Sequence, residues 1–407
     1  MRLYVMGRRK AALFLLVTMA LASAAASMLV RTVGGPPVAL DRLLITRLNM
    51  IFSDRAQAVV QGNPEPLVSH YDLESTYGRW ALDREERRIR YVQAWSKARR
   101  VRFIDSAVEI RVDSAELKGD FARLRLRQSA DFAYLYDADP AARPDHFGIG
   151  TRHLVELVRK GETWVIRRDW YTDPLDEDSI IADVRPALVP EGAFPTIIDR
   201  KYPQEDTRLP TGTKASPGMP SNPLQASRYD RGNAVAYANE YCGLAWGCGN
   251  NREYNSKYKD FTGLGGDCTN FVSQVLGDTA GGGLLMDWTW RYTYKGIGAG
   301  ASRAWAQAGA LAGYLIASGR AIRMARGTYA DVVTPSERYP HGAIGALDLG
   351  DLIAYEEKGR LVHFAVVTGT DSHGYVVVNS HTADRYHVPW DIGWDRTTVF
   401  WLLKIVY

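Results

Sequence analysis

Gly265-Gly266-Asp267-Cys268-Thr269-Asn270-Phe271-Val272-Ser273-Gln274 is the stretch on which the reading of this chain turns. Two glycines deliver the backbone to Asp267, a residue type that favours a helix N-cap. Phe271, Val272, Val275 and Leu276 follow at helical spacing before Gly277 closes the element. Cys268 is then the first helical residue. Unpaired backbone N–H groups and the positive end of the helix dipole favour thiolate over thiol there, and the thiolate is the form that attacks. The competing reading is a small buried core cysteine, the usual fate of a free Cys.

The other two cysteines bear on that choice. Cys242 and Cys248 flank Gly243-Leu244-Ala245-Trp246-Gly247, a glycine-bounded loop short enough to be closed by a disulfide, although geometry decides whether it is. Such a bridge needs an oxidising compartment, and the N-terminus points to one. Arg2, Arg8, Arg9 and Lys10 precede an uncharged apolar run over 11–30, so residues 1–32 are expected to be a signal peptide or an N-terminal membrane anchor. As a signal peptide it offers small residues for cleavage at Ala22-Ser23-Ala24. As an anchor the run is long enough to span a bilayer with its positive flank inside. Both outcomes export everything after Thr32. If Cys242 and Cys248 pair, Cys268 is the odd thiol, which in an exported protein indicates a reactive role or an intermolecular bond.

At 407 residues, 46% of them hydrophobic and 24% charged, the chain is long enough for two globular domains. The four basic residues of 1–30, with no acid among them, account for the whole net charge of +4, so the remainder carries no basic excess. No nucleic-acid-binding module is recognisable. Nothing in the sequence bears on oligomeric state.

Residues 41–199 form a first unit. Helical patterns over 43–60 and 83–98 are followed by alternating strand-like segments over 101–103, 107–112, 122–129, 153–159 and 163–169. Helices followed by antiparallel strands predict an α+β domain with helices on one face of a curved sheet. In element order it resembles the cone-shaped nuclear transport factor two-like fold. His153 and Trp170 are placed to line such a cone, but packing or surface exposure is the commoner fate. Residues 200–228 turn rich in Pro, Gly, Ser and Thr and are expected to be a linker. The second unit, 229–407, opens with a helix over 230–241. The Cys268 helix and a helix over 302–318 follow, and then β-rich segments over 352–355, 363–368, 375–381 and 397–406.

A cysteine hydrolase needs a base beside its thiol and a polar group that orients the base. His363 begins the strand His363-Phe364-Ala365-Val366-Val367-Thr368 and is the candidate base. Strand parity narrows the orienting residue. A hairpin turn centred on Ser372 sets His363 opposite His381, and a slip by two sets it opposite Asn379. A slip by one reverses the faces. His381 is favoured as third member, with Asn379 as the alternative. The Cys268 N–H is the expected oxyanion donor, Asn270 a candidate second one, and Asp267 a cap rather than an acid. Trp288, Trp290 and Trp305 are candidates to line a cleft, although tryptophans fill cores first. No HExxH or other trusted metal spacing joins His341, His363, His373, His381 and His387, so neither metal nor cofactor is expected.

These residues together carry a resemblance. Tyr229-Asp230-Arg231 with Ala234, Tyr237 and Ala238, then GGDCTNFVSQ over 265–274, Ala280-Gly281-Gly282, Trp305, GDLIAY over 350–355, His363 and Ser380-His381 resemble the bacterial "putative amidase domain" family across nearly all of 229–407. More distantly, the unit is similar to papain-like cell-wall peptidases and cysteine, histidine-dependent amidohydrolases. The resemblance implies a papain-like fold and hydrolysis of an amide bond in peptidoglycan or a related peptide through a Cys268 thioester. The alternatives are a non-catalytic extracellular binding or scaffold protein, an acyltransferase using the same triad, and, least supported, a metal hydrolase. The Cys242 and Cys248 pair and the first unit lie outside the family pattern.

Overall fold

The computed structural model describes residues 29–32, 35–39, 42–175, 185–190, 193, 229–262, 267–295 and 300–406. Most of the expected leader, including Ala22-Ser23-Ala24, and the whole 200–228 linker lie outside the described residues. The end of the apolar run falls in a short strand, β1 (Leu29–Thr32), paired with β2 (Gly35–Ala39). Among the described residues no helix is long and apolar enough to cross a membrane.

The first unit follows its sequence pattern closely. Helices α1 (Arg42–Gln61) and α2 (Thr76–Arg99) bury Leu44, Leu48, Ile51, Phe52 and Val59 from the one and Leu82, Ile89, Val92 and Trp95 from the other. Those stripes pack against four long antiparallel strands: β3 (Val101–Lys118), β4 (Phe121–Tyr136), β5 (Asp145–Lys160) and β6 (Thr163–Trp170). This is the expected α+β arrangement, with longer strands than the alternation alone marks.

In the second unit, α3 (Arg231–Glu240) and α4 (Cys268–Gly277) precede a small β-ribbon of β7 (Tyr292–Thr293) and β8 (Gly300–Ala301). The helix expected over 302–318 is two helices, α5 (Arg303–Ala306) and α6 (Ala308–Ala317), because Gln307 between them is extended. Then come β9 (Ala321–Gly327), α7 (Tyr329–Val333), β10 (Leu352–Glu357), β11 (Arg360–Thr370), β12 (Val376–Ser380), β13 (Asp384–Pro389) and β14 (Val399–Ile405). Strands β9 and β13 escaped the sequence reading.

The two units share one sheet. Its order is β3-β4-β5-β13-β12-β11-β10-β14-β9, with β6 also on β5. Strand β4 runs along one side of β5, while the other side is divided: β6 takes Leu154 to Lys160, and β13 pairs Asp384, Arg385 and Tyr386 with Gly150, Ile149 and Gly148. A β5 longer than its hairpin partner thus leaves an open edge that the second unit completes. The observed architecture is a mixed α/β chain built on a large antiparallel sheet.

Alternation along the second unit's strands separates two cores. Leu352, Ala354, Phe364, Val366 and Leu403 point toward α3, α4 and α6, packing with Phe271, Val272 and Leu311. Ile353, Tyr355, Ala365, Val367, Val378 and Leu402 point the other way, toward Tyr329, Trp390 and Trp394. The Cys268 helix therefore serves one face only.

Candidate active site

Cys268 stands at the first turn of α4, buried, and is the cysteine that takes no part in a disulfide. Cys242 and Cys248 form a disulfide, so the thiol that sequence left over is the one at the helix start. Asp267 holds the N-cap position, but its carboxylate makes no cap hydrogen bond. That corrects the reading of Asp267 as a cap. Its Oδ1 accepts from the Phe261 N–H (2.9 Å) and from Asn270 Nδ2 (2.8 Å), while Oδ2 accepts from His381 Nδ1 (2.7 Å). The cap is supplied from elsewhere. Thr382 Oγ1 accepts from the N–H groups of Asp267 and Cys268, the latter at 3.2 Å. Thr382 does so at φ +77°, a left-handed conformation that a β-branched residue adopts only under strain. The expected oxyanion donor, the Cys268 N–H, is therefore already engaged by a hydroxyl.

His381 is fully buried, just beyond the end of β12. Its ring is sandwiched between Tyr254 (centroids 3.8 Å, planes 14° apart) and Phe271 (4.0 Å, 21°), the latter one turn along the helix from Cys268. Besides the Asp267 bond at Nδ1, Nε2 donates to the Tyr241 carbonyl at 2.6 Å. A carbonyl oxygen and a carboxylate both accept, so each ring nitrogen of His381 faces an acceptor. The charged acceptor is the side chain next to the thiol. His381 thus reaches the start of the Cys268 helix through Asp267, and its neighbour Thr382 accepts from the Cys268 N–H.

His363 lies on the other face. The structure pairs Val366 with Asn379 and Val367 with Val378, and a bulge between Val367 and Gly369 absorbs one residue before the turn. That is the slip by one that reverses faces. His363 then shares the side of Ala365 and Val367, opposite Tyr355 on β10, with Tyr355 (5.4 Å) and Trp394 (5.6 Å) against its ring. Burial, and next the charge of Arg385, push its pKa well below the usual histidine range. The ladder thus turns His363 to the face opposite the one on which α4 packs.

The remaining candidates are structural. Asn379 ties the sheet to α3: Nδ2 donates to Ala238 O (3.1 Å) and Asn239 Oδ1 (2.9 Å), and Oδ1 accepts from the His387 N–H (2.8 Å) and Thr368 Oγ1 (3.1 Å). Asn270, expected as a second oxyanion donor, spends both amide protons on Lys259 O (3.1 Å) and Asp267 Oδ1, and accepts from Trp305 Nε1 (2.8 Å). Trp290 and Trp305 are fully buried core residues, whereas Trp288 is 89% exposed. In the first unit Trp170 is on the surface, and His153 is buried between Thr151 Oγ1 (2.8 Å) and Asp169 (3.0 Å). Among the described residues no group of three or more His, Cys, Asp or Glu side chains is arranged to hold a metal ion. Sequence reasoning missed Thr382, Tyr254 and the contact of the Asp267 carboxylate with His381. The signal within reach was adjacency, since Asp267 and Thr382 each neighbour a candidate.

The fold and site define a thiol at a helix start with a buried histidine–carboxylate pair beside it. Residues 228–403 match the family described as "Putative amidase domain". No curated protein matches the chain. Among solved structures, a putative scytalone dehydratase from Novosphingobium aromaticivorans is similar at 11% identity, covering 31% of this chain and 82% of that one, with a TM-score of 0.22. A putative NTF2-like transpeptidase from Campylobacter jejuni is similar at 16% identity, covering 29% and 94%, with a TM-score of 0.16.

Proposed function

We propose that the protein is an exported cysteine-dependent amide hydrolase in which Cys268 is the nucleophile, His381 the acid and base, and Asp267 the residue that orients His381. The observation that carries this reading is the Asp267 Oδ2 to His381 Nδ1 contact of 2.7 Å at the very start of the helix that presents Cys268. The putative amidase domain match over 228–403 supports an amide as the bond attacked. The Cys242–Cys248 disulfide supports an oxidising compartment. Peptidoglycan or a related peptide is the substrate class the family resemblance favours.

In this mechanism the Cys268 thiolate attacks the amide carbonyl carbon, and the helix-start N–H groups stabilise the developing oxyanion. Thr382 Oγ1 stands on those donors, so it gives way to the oxyanion as the tetrahedral intermediate forms. The C–N bond then breaks while His381 Nε2 transfers its proton to the departing amine, the Nδ1 proton staying on the ring and hydrogen-bonded to the Asp267 carboxylate. Water adds to the thioester, giving its proton back to Nε2, and the carboxylic acid leaves as the C–S bond breaks and the thiolate is regenerated.

The test is incubation of the full-length wild type and Cys268→Ala with defined muropeptides, products being read by mass, together with iodoacetamide labelling. The expected result is cleavage by wild type alone, with labelling confined to wild type. Cleavage that survives in Cys268→Ala rejects the nucleophile. A folded wild type that neither labels nor cleaves favours a binding scaffold.

A further inference from the structure

The environment of His381 is assembled in part by the first unit. Tyr254, whose ring covers one side of the imidazole, donates its hydroxyl to Asp384 Oδ1 at 2.5 Å. Asp384 is fully buried at the start of β13, directly opposite Gly150 of β5. Arg152, two residues further along β5, places Nη1 at 3.2 Å from the Tyr254 hydroxyl and 3.4 Å from Asp384 Oδ2, with its guanidinium over the Tyr254 ring at 4.8 Å. Burial works against the charge of Arg152, but Asp384, Tyr254 and Asp260 together outweigh it and hold the guanidinium more firmly protonated than usual.

The second contact with His381 leads back to the same strand. Tyr241, whose carbonyl accepts from His381 Nε2, immediately precedes the loop closed by Cys242 and Cys248. Within that loop the Leu244 N–H donates to Asp384 Oδ2 at 2.8 Å, and the Leu244 carbonyl accepts from Ser129 Oγ of β4 at 2.6 Å. The loop lies so close on β5 that a Cβ at Gly148 would stand 1.8 Å from the Trp246 carbonyl, and one at Gly150 2.4 Å from Leu244. Glycine at both positions is a requirement of this contact.

We propose that Arg152 is a positioning residue for His381, acting through Tyr254 and Asp384, so that the site of the amidase domain is incomplete without the first unit. This inference rests on the roles given to Cys268 and His381 above. A residue that locks the partners of a catalytic imidazole contributes by limiting its orientations, an effect on the order of 10- to 100-fold in comparable supporting shells. The first unit is then neither a spacer nor a separable substrate-binding module.

The experiment uses the full-length chain and three variants: Arg152→Met, Arg152→Lys and Tyr254→Phe. Arg152→Met is expected to lower kcat about tenfold with KM within about twofold, and to shift or broaden the ring-nitrogen NMR signals of His381 in protein labelled with 15N-histidine. Arg152→Lys restores part of both, since a cation returns without the planar fork. A folded Arg152→Met protein with wild-type kcat and wild-type His381 ring signals overturns the proposal. If Arg152→Met does not fold, Tyr254→Phe decides: it keeps the stacked ring and removes the hydroxyl link, so unchanged ring signals and kcat overturn the proposal equally. If wild type shows no thiol-dependent cleavage, the function proposed above fails, while the ring signals still report whether Arg152 positions His381.

Discussion

His363 and His381 are two buried histidines of one sheet, and the contrast between them separates packing from chemistry. His363 sits among Tyr355 and Trp394 with the Arg385 charge nearby, an environment that favours the neutral ring. His381 sits at the helix start with a carboxylate on one nitrogen and a carbonyl on the other. Burial is almost equal, at 3% and 0% exposure, so burial does not distinguish them. The difference lies in the acceptors each ring meets. A histidine pressed among rings beside a cation gains nothing from charge, whereas one flanked by two acceptors is fixed in orientation through both ring nitrogens.

Removing each ring tests that contrast most directly. His381→Ala is expected to lower kcat about a thousandfold, the scale of losing a positioned acid–base group, while His363→Phe changes kcat by less than about threefold in assays of amide cleavage. A folded His363→Phe protein without activity would invert the assignment. Asp267→Asn comes next, at about a hundredfold in kcat. Its amide group presents a donor where His381 Nδ1 needs an acceptor, so the ring is driven toward the wrong tautomer. Wild-type kinetics in Asp267→Asn would mean that Asp267 serves the fold alone.

The smallest effect is on stability and follows from the depressed pKa of His363. Its folded-state value lies below the unfolded one, so the unfolded chain binds the extra proton first as pH falls. The stability it contributes is present above the unfolded value of about 6.5 and drains at up to roughly 1.4 kcal/mol per pH unit below it. Denaturant titrations between pH 7 and 5 are expected to show a steeper loss in wild type than in His363→Phe. Parallel curves would remove the buried, uncharged description of His363.

How much of this was legible in the chain depends on the range of the interactions. Helix α4 was readable to both ends, from Cys268 to Gly277, because 3.6-residue spacing and the closing glycine act over a few neighbours, although Asp267 does not make the cap bond its type suggested. The helices and strands of the first unit were readable for the same reason. The pairing of His363 was not. The expected hairpin turns symmetrically about Ser372, but Asp371 Oδ1 gathers the N–H groups of His373 and Tyr375, and the bulge between Val367 and Gly369 shifts the ladder by one residue. One residue is enough to exchange faces. Asn379 and Asn270 were plausible by type, and their amides turned out to be committed to α3 and to Lys259 and Trp305. The join of β5 to β13 links positions more than two hundred residues apart and leaves no mark in the local pattern.

By itself the sequence determined the thiol, its place at a helix start and the likeness of residues 229–407 to an amidase domain, since each depends on neighbouring residues and a fixed periodicity. The tertiary structure alone decided which histidine meets that helix, that Asp267 turns to it, and that Arg152 of the first unit supports it. Strand side chains alternate faces every residue, so these choices hang on register, and register is set by bulges, turns and distant partners that no local pattern records.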